Sequence, residues 1–208
     1  LVCPPGAIDF EQEDEFVEVD VGAVVVATGY DLYSLENLGE YGGGQVPDVI
    51  DALAMERLLS SSGPTSGVLE RPSDGKEPDS IAYVQCAGSR DQTLGVEYCS
   101  RVCCMYAIKQ AMLLSGALPL ADITIYYMDI RTFGKGYEQF YQNAKAMGIE
   151  FVKGKVASIS AMRSGMVAMR ARDSLLRPPS TARANWASAA ATISFSSAAW
   201  DRSPAPTV

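Results

Sequence analysis

The chain has 208 residues, 48% of them apolar and 20% charged, which is enough to bury one full-sized core in one or two ordinary domains. Seventeen Lys and Arg against 25 Asp and Glu leave a net charge of −8, which argues against a protein that tracks nucleic-acid phosphates or an anionic membrane surface. With no histidine, a Ser-His-Asp triad, a Cys-His pair, a mixed His/Cys zinc finger and imidazole acid–base chemistry are all excluded from this chain, and candidate chemistry is left to Cys, Asp, Glu, Lys and Tyr.

The first residues, LVCPPGAIDF, lack the basic start and apolar stretch of a signal peptide. No apolar run approaches the roughly 18 to 20 residues of a membrane span, so a cytoplasmic chain without a direct membrane span is expected. The chain begins with Leu1 rather than Met, and its first strong strand signal comes without the elements expected before it; it reads as a fragment. An acidic stretch from Glu11 to Glu18 leads into Val24-Val25-Val26, a β-branched run closed by glycine, the pattern of a strand buried on both faces in a parallel sheet. After a connector containing Gly42, Gly43 and Gly44, Asp51 is placed to cap a short helix carrying Leu53, Met55, Leu58 and Leu59.

Residues 64–80, rich in Pro, Gly and Ser, read as a linker or surface loop. A strand at Ile81–Val84, a helix at Cys99–Ser115, a strand at Ile123–Met128, a helix at Tyr137–Met147 and a strand at Ile149–Val152 follow. This is a βαβαβ unit, hence α/β with a parallel sheet and helices on its faces. Val156–Ile159 and Met166–Met169 could add an antiparallel pair. From Pro178 to Val208 the composition shifts to Ala, Ser and Pro without periodicity, as in a disordered tail or a stretch that is not native coding sequence.

Four of the five cysteines, Cys86, Cys99, Cys103 and Cys104, are clustered, while Cys3 stands apart. Cys86 falls at the end of a strand and Cys99 at the start of the next helix. Cys99 and Cys103 would then be one turn apart on one face, with Cys104 rotated by about 100°. Amide dipoles at a helix start favour anionic sulfur. Inert buried cysteines, a tetrathiolate zinc site, a dithiol pair at Cys103 and Cys104, and an iron–sulfur cluster all remain readings of this pattern, the last favoured because separated C-x-x-C knuckles are absent. In a dinucleotide-binding unit the turn after the first strand carries G-x-G-x-x-G; here it is the long segment Cys86–Cys99, so a cluster would take the place of the pyrophosphate.

The segments Y-V-Q-C-A-G-S-R-D, Y-C-S-R-V-C-C-M-Y-A-I-K-Q-A and Y-Y-M-D-I-R-T-F-G-K-G-Y-E resemble the A subunit of heterodisulfide reductase and its relatives in anaerobic electron-transfer complexes, over about Cys3 to Leu176. The resemblance implies a thioredoxin-reductase-like, FAD/NAD(P)-binding-type fold, truncated here and carrying an inserted iron–sulfur loop. It further implies a 4Fe-4S cluster on Cys86, Cys99, Cys103 and Cys104, with FAD in the full-length protein. V-V-V-A-T-G-Y-D is similar to the strand that closes the FAD half of such flavoproteins, which would bring Ala27, Thr28 and Gly29 to the flavin nucleotide. Cys3-Pro4 resembles the exit of a ferredoxin-type run whose other ligands would precede Leu1, leaving Cys3 unpaired.

On this reading residues 1–33 end the FAD-binding half, 34–80 connect, 81–176 form the second dinucleotide-fold domain, and 177–208 are the tail. The implied activity is electron transfer between FAD and iron–sulfur clusters, in partnership with an electron-donor subunit plus other iron–sulfur subunits. The FAD glycine fingerprint is absent, so the chain alone is expected to be inactive. The alternative is a non-catalytic, zinc-stabilised interaction module. Lys109, one turn beyond the cysteines, could approach a flavin ring or be a solvated helix lysine. Arg90 and Asp91 could pair to shape the cysteine loop or be surface charges. Asp129 reads as a strand-end or capping residue, and Arg131–Tyr137 as a basic loop near a cofactor or a simple connection.

Overall fold

Ile81, Ala82, Tyr83 and Val84 alternate between two apolar surroundings, as the two-residue period of a strand dictates when both faces are covered. Ile81 and Tyr83 pack with Met55, Ile108, Ala111, Leu114, Ile123, Ile125, Tyr141 and Ala144 on one side. Ala82 and Val84 face Leu38, Tyr41, Val46, Val156 and Ile159 on the other. The computed structural model describes residues 9, 11–161, 167–171, 191–196 and 198–199. In chain order it comprises β1 (Asp31–Leu32), β2 (Val49–Asp51), α1 (Ala52–Leu59), β3 (Ser80–Gln85), α2 (Cys103–Ala117), β4 (Asp122–Tyr127), α3 (Tyr137–Ala146), β5 (Glu150–Lys153), β6 (Val156–Ala161), β7 (Val167–Ala171), β8 (Ala191–Ser196) and β9 (Ala198–Ala199).

The fold is α/β. A parallel sheet runs in the order β2-β8-β3-β4-β5, with Val84 opposite Tyr126 and Tyr126 opposite Val152. The βαβαβ unit expected from the spacing is therefore present as β3-α2-β4-α3-β5, and β6 pairs with β7 antiparallel. Asp51 caps α1 as its position suggests, its side chain accepting from the Ala54 N–H at 2.7 Å. Among the described residues no helix is long and apolar enough to cross a membrane.

Three expectations need correction. Val24, Val25 and Val26 form no strand and are 78%, 88% and 76% exposed, because among the described residues no strand edge pairs with them; a β-branched run makes a buried strand only where neighbours supply its ladder. The second helix starts at Cys103 rather than Cys99. Arg101 adopts a left-handed φ of 66°, which ends helical continuity before Val102 and leaves Cys99 in the preceding loop. Cys99 and Cys103 thus do not share a helix face. Ala191–Ser196, in the stretch read as a tail without order, is a strand lying parallel between β2 and β3. Its sequence, A-T-I-S-F-S, alternates polar with apolar, β-prone residues, a local signal that the bulk composition hides. Cys3 and the ferredoxin-like residues around it, Met166, and residues 177–190 and 200–208 lie outside the described residues.

Candidate functional site

In open α/β sheets ligands gather at the carboxyl ends of the strands, and here the loops following β3 and β4 lie side by side because those strands are parallel neighbours. Cys86 is the first residue after β3 and holds a φ of 60°. The described residues contain four non-glycine positions with positive φ, Ser66, Cys86, Arg90 and Arg101, and three of the four belong to the cysteine loop. Backbone outliers of this kind cost free energy and persist where the surroundings impose them, often at functional sites.

The loop doubles back on itself. Asp91 and Val96 exchange backbone hydrogen bonds at 2.8 and 3.1 Å, and the Arg90 N–H donates to the Tyr98 carbonyl at 3.1 Å, so Cys99 is returned toward Cys86. Asp91 caps the short turn inside this hairpin, accepting from the Thr93 N–H at 3.0 Å and the Thr93 hydroxyl at 2.6 Å. Gly88, with φ +77°, passes so close to Tyr33 that an added Cβ would lie 2.6 Å from the Tyr33 ring and its Cβ.

Cys86, Cys103 and Cys104 are buried and Cys99 is half-buried; all four are free thiols. Burial, and after it the neighbouring Cys103, push the Cys86 thiol up to about 11, while the Arg90 charge beside it favours the thiolate. Within the adjacent pair, Cys104 gives up its proton first: it accepts from the Cys103 thiol and from the Arg131 backbone N–H, and is held below the ordinary cysteine range. The Arg101 N–H lies 3.4 Å from the Cys99 sulfur. Ser89, beside Arg90, is buried with a hydroxyl that has no protein partner.

This donor set is entirely sulfur, with backbone amides and guanidinium groups around it, which suits iron–sulfur or other thiophilic metal chemistry and not hard oxygen-loving cations. Among the described residues no three Cys, Asp or Glu side chains are drawn together tightly enough to enclose a single metal ion.

Several expected neighbours are rearranged. Arg90 and Asp91 do not pair with one another: Arg90 bonds Asp129 at 2.5 Å, and Asp91 bonds Lys155 at 3.1 Å. Arg90 holds a left-handed φ of 56° while Asp91 is extended, and the two side chains find different partners across the site. Asp129 is more than a strand-end residue, since its carboxylate also holds Arg131 in a two-point contact of 2.9 and 2.7 Å. The sequence offered one signal for this network, the proximity of the β3 and β4 loop ends in any parallel β3-α2-β4 unit.

Lys109 is neither free in solvent nor directed at the sulfurs. It is ion-paired with Glu56 of α1, which also accepts from the Gln110 amide at 2.9 Å. Lys109 borders a cavity of about 330 Å³ together with Tyr106, Lys135, Tyr137 and Phe140, so the Arg131–Tyr137 segment and Lys109 share one wall. Ala27, Thr28 and Gly29 lie in an exposed stretch outside any helix or strand, and the residue after them, Tyr30, stacks on Tyr106 of α2.

These features define a class: an α/β protein with a parallel sheet whose β3-to-α2 loop is built around cysteines. No protein-family model matches the chain. It is 46% identical over 175 residues to the A subunit of the ferredoxin:CoB-CoM heterodisulfide reductase of Methanosarcina mazei, covering 84% of this chain and 22% of that protein. It is 45% identical over 176 residues to the A subunit of the H(2):CoB-CoM heterodisulfide,ferredoxin reductase of Methanothermobacter marburgensis, covering 84% of this chain and 27% of that protein. To the second iron-sulfur A subunit of the CoB-CoM heterodisulfide reductase of Methanopyrus kandleri it is 49% identical over 172 residues, with 82% and 26% covered. In sequence the chain is similar to one stretch of these heterodisulfide reductase A subunits, and it spans about a quarter of the length of the curated relatives it matches.

Proposed function

We propose that Cys86, Cys99, Cys103 and Cys104 hold a 4Fe-4S cluster, and that the chain serves electron transfer between FAD and iron–sulfur centres in a cytoplasmic heterodisulfide reductase-like oxidoreductase. The observation that carries this is the folding back of the Cys86–Cys99 loop beside the start of α2, which sets four free thiols in one electrostatically coupled group. The relative from Methanopyrus kandleri bears the name of an iron-sulfur protein, which supports the cluster reading. A tetrahedral zinc with Zn–S near 2.3 Å needs its sulfurs about 3.8 Å apart, whereas a cubane binds each thiolate on a separate iron and accepts a wider set.

A bound cluster supplies one-electron exchange. The chain's residues supply its setting: the loop fixes Cys86 and Cys99, α2 presents Cys103 and Cys104, and the core beneath α2 excludes water. In the proposed full-length protein Ala27, Thr28 and Gly29 approach the flavin nucleotide, and Lys109 lies at the flavin side of α2. Its partners are an electron-donor subunit plus other iron–sulfur subunits, and the chain alone turns over no heterodisulfide.

The test is metal and sulfide analysis of the chain purified without oxygen. The cluster reading expects a broad absorbance at ~400 nm with about four irons and four sulfides per chain. Colourless protein containing one zinc would overturn it in favour of the interaction module.

A further inference from the structure

Arg90 is the charged side chain of the cysteine loop that reaches a cysteine sulfur, and it does so while gripped from behind. Its guanidinium bonds the Asp129 carboxylate at 2.5 Å and lies beside the Cys86 sulfur. Asp129 is itself fixed by Arg131, and the Asp129 carbonyl lies 4.0 Å from the Cys104 sulfur. Two arginines thus share one carboxylate, which leaves a net positive charge beside the cysteine loop. The Arg90 side chain is only a quarter exposed, so solvent screens that charge incompletely.

We infer that Arg90, clamped by Asp129 and Arg131, is a positioning residue that raises the reduction potential of the centre on Cys86, Cys99, Cys103 and Cys104. The inference rests on the proposed cluster. Reduction adds one negative charge to a thiolate-bound cluster, and a fixed cation beside a ligand sulfur stabilises the reduced form more than the oxidised one. Asp129 keeps the fork aimed at Cys86 rather than at solvent. Arg131 spares Arg90 from full neutralisation, because the carboxylate is divided between two guanidinium groups.

The test uses the full 208-residue chain purified without oxygen, reading iron and sulfide content first and then the midpoint potential by EPR-monitored titration. R90Q should retain its iron and lower the equilibrium constant for reduction about tenfold, a fall of ~59 mV for a one-electron couple. R90K keeps the charge but loses the planar two-way grip, and its midpoint should lie between wild type and R90Q. If R90Q yields no folded protein, R90K alone decides, by lying below wild type. Iron-loaded variants with the wild-type midpoint overturn the inference while leaving the proposed function standing. A wild-type chain that binds no iron overturns both.

Discussion

Tyr30 lies almost parallel to Tyr106, with 6° between the ring planes and 6.0 Å between centroids. This offset stack is of the kind worth about 0.5–1.5 kcal/mol beyond area burial. It anchors the end of the exposed Ala27-Thr28-Gly29 stretch to the helix that begins with Cys103 and Cys104. The segment proposed to meet a flavin nucleotide and the helix proposed to meet a cluster are therefore joined through one aromatic pair.

That join does not by itself make a flavin site. Pyrophosphate is held by a glycine-rich turn at a helix start, and the corresponding turn after β3 is built from the cysteine loop instead. The chain mixed with FAD and passed through gel filtration should show no bound-flavin band at ~450 nm. A stoichiometric flavin peak would contradict this.

Ligation should be selective among the cysteines. Replacing Cys99 or Cys103 with Ser should remove most of the bound iron, because a hydroxyl is a poor substitute for a soft thiolate, whereas Cys3→Ser should leave iron content unchanged. Iron retained by every single variant of Cys86, Cys99, Cys103 and Cys104 refutes the ligand assignment.

Gly88 should resist substitution. An alanine there meets Tyr33 at 2.6 Å and must hold φ near +77°, so either the loop or the Tyr33 segment has to move. G88A should lose about 1–3 kcal/mol of stability, read as a lower urea midpoint, and iron loading should fall with it. A variant as stable as wild type would mean that the loop relaxes freely.

Acid should loosen the loop through Asp91. Hydrogen bonding from Thr93, followed by Lys155, lowers its carboxyl from the ordinary 3.8 to about 2. A carboxyl depressed in the folded state contributes stability that is fully present above its unfolded value and is lost as pH falls through the folded one, so the window runs from about pH 4 down to about pH 2. Urea midpoints followed by circular dichroism should drop across that window in wild type. D91N should start lower at neutral pH and show a shallower acid fall.

The residue pattern alone carried much of the architecture. Alternation at Ile81–Val84 and Ile123–Met128, helical spacing between them, and the cap at Asp51 are local properties, and local properties can be read from neighbouring residues. The cysteine spacing likewise singled out the segment between β3 and α2, where Cys86, Cys99, Cys103 and Cys104 are free thiols. Tertiary structure decided what depends on partners distant in sequence. Val24–Val26 has strand propensity, but a strand also needs a partner, and none of the described strands pairs with it. Ala191–Ser196 looks featureless by composition yet enters the sheet, because β2 on one side and β3 on the other supply its parallel ladders. Arg90 finds Asp129 rather than Asp91 because parallel pairing of β3 with β4 sets their following loops side by side, and charges select the partner that geometry delivers, not the one next in the chain.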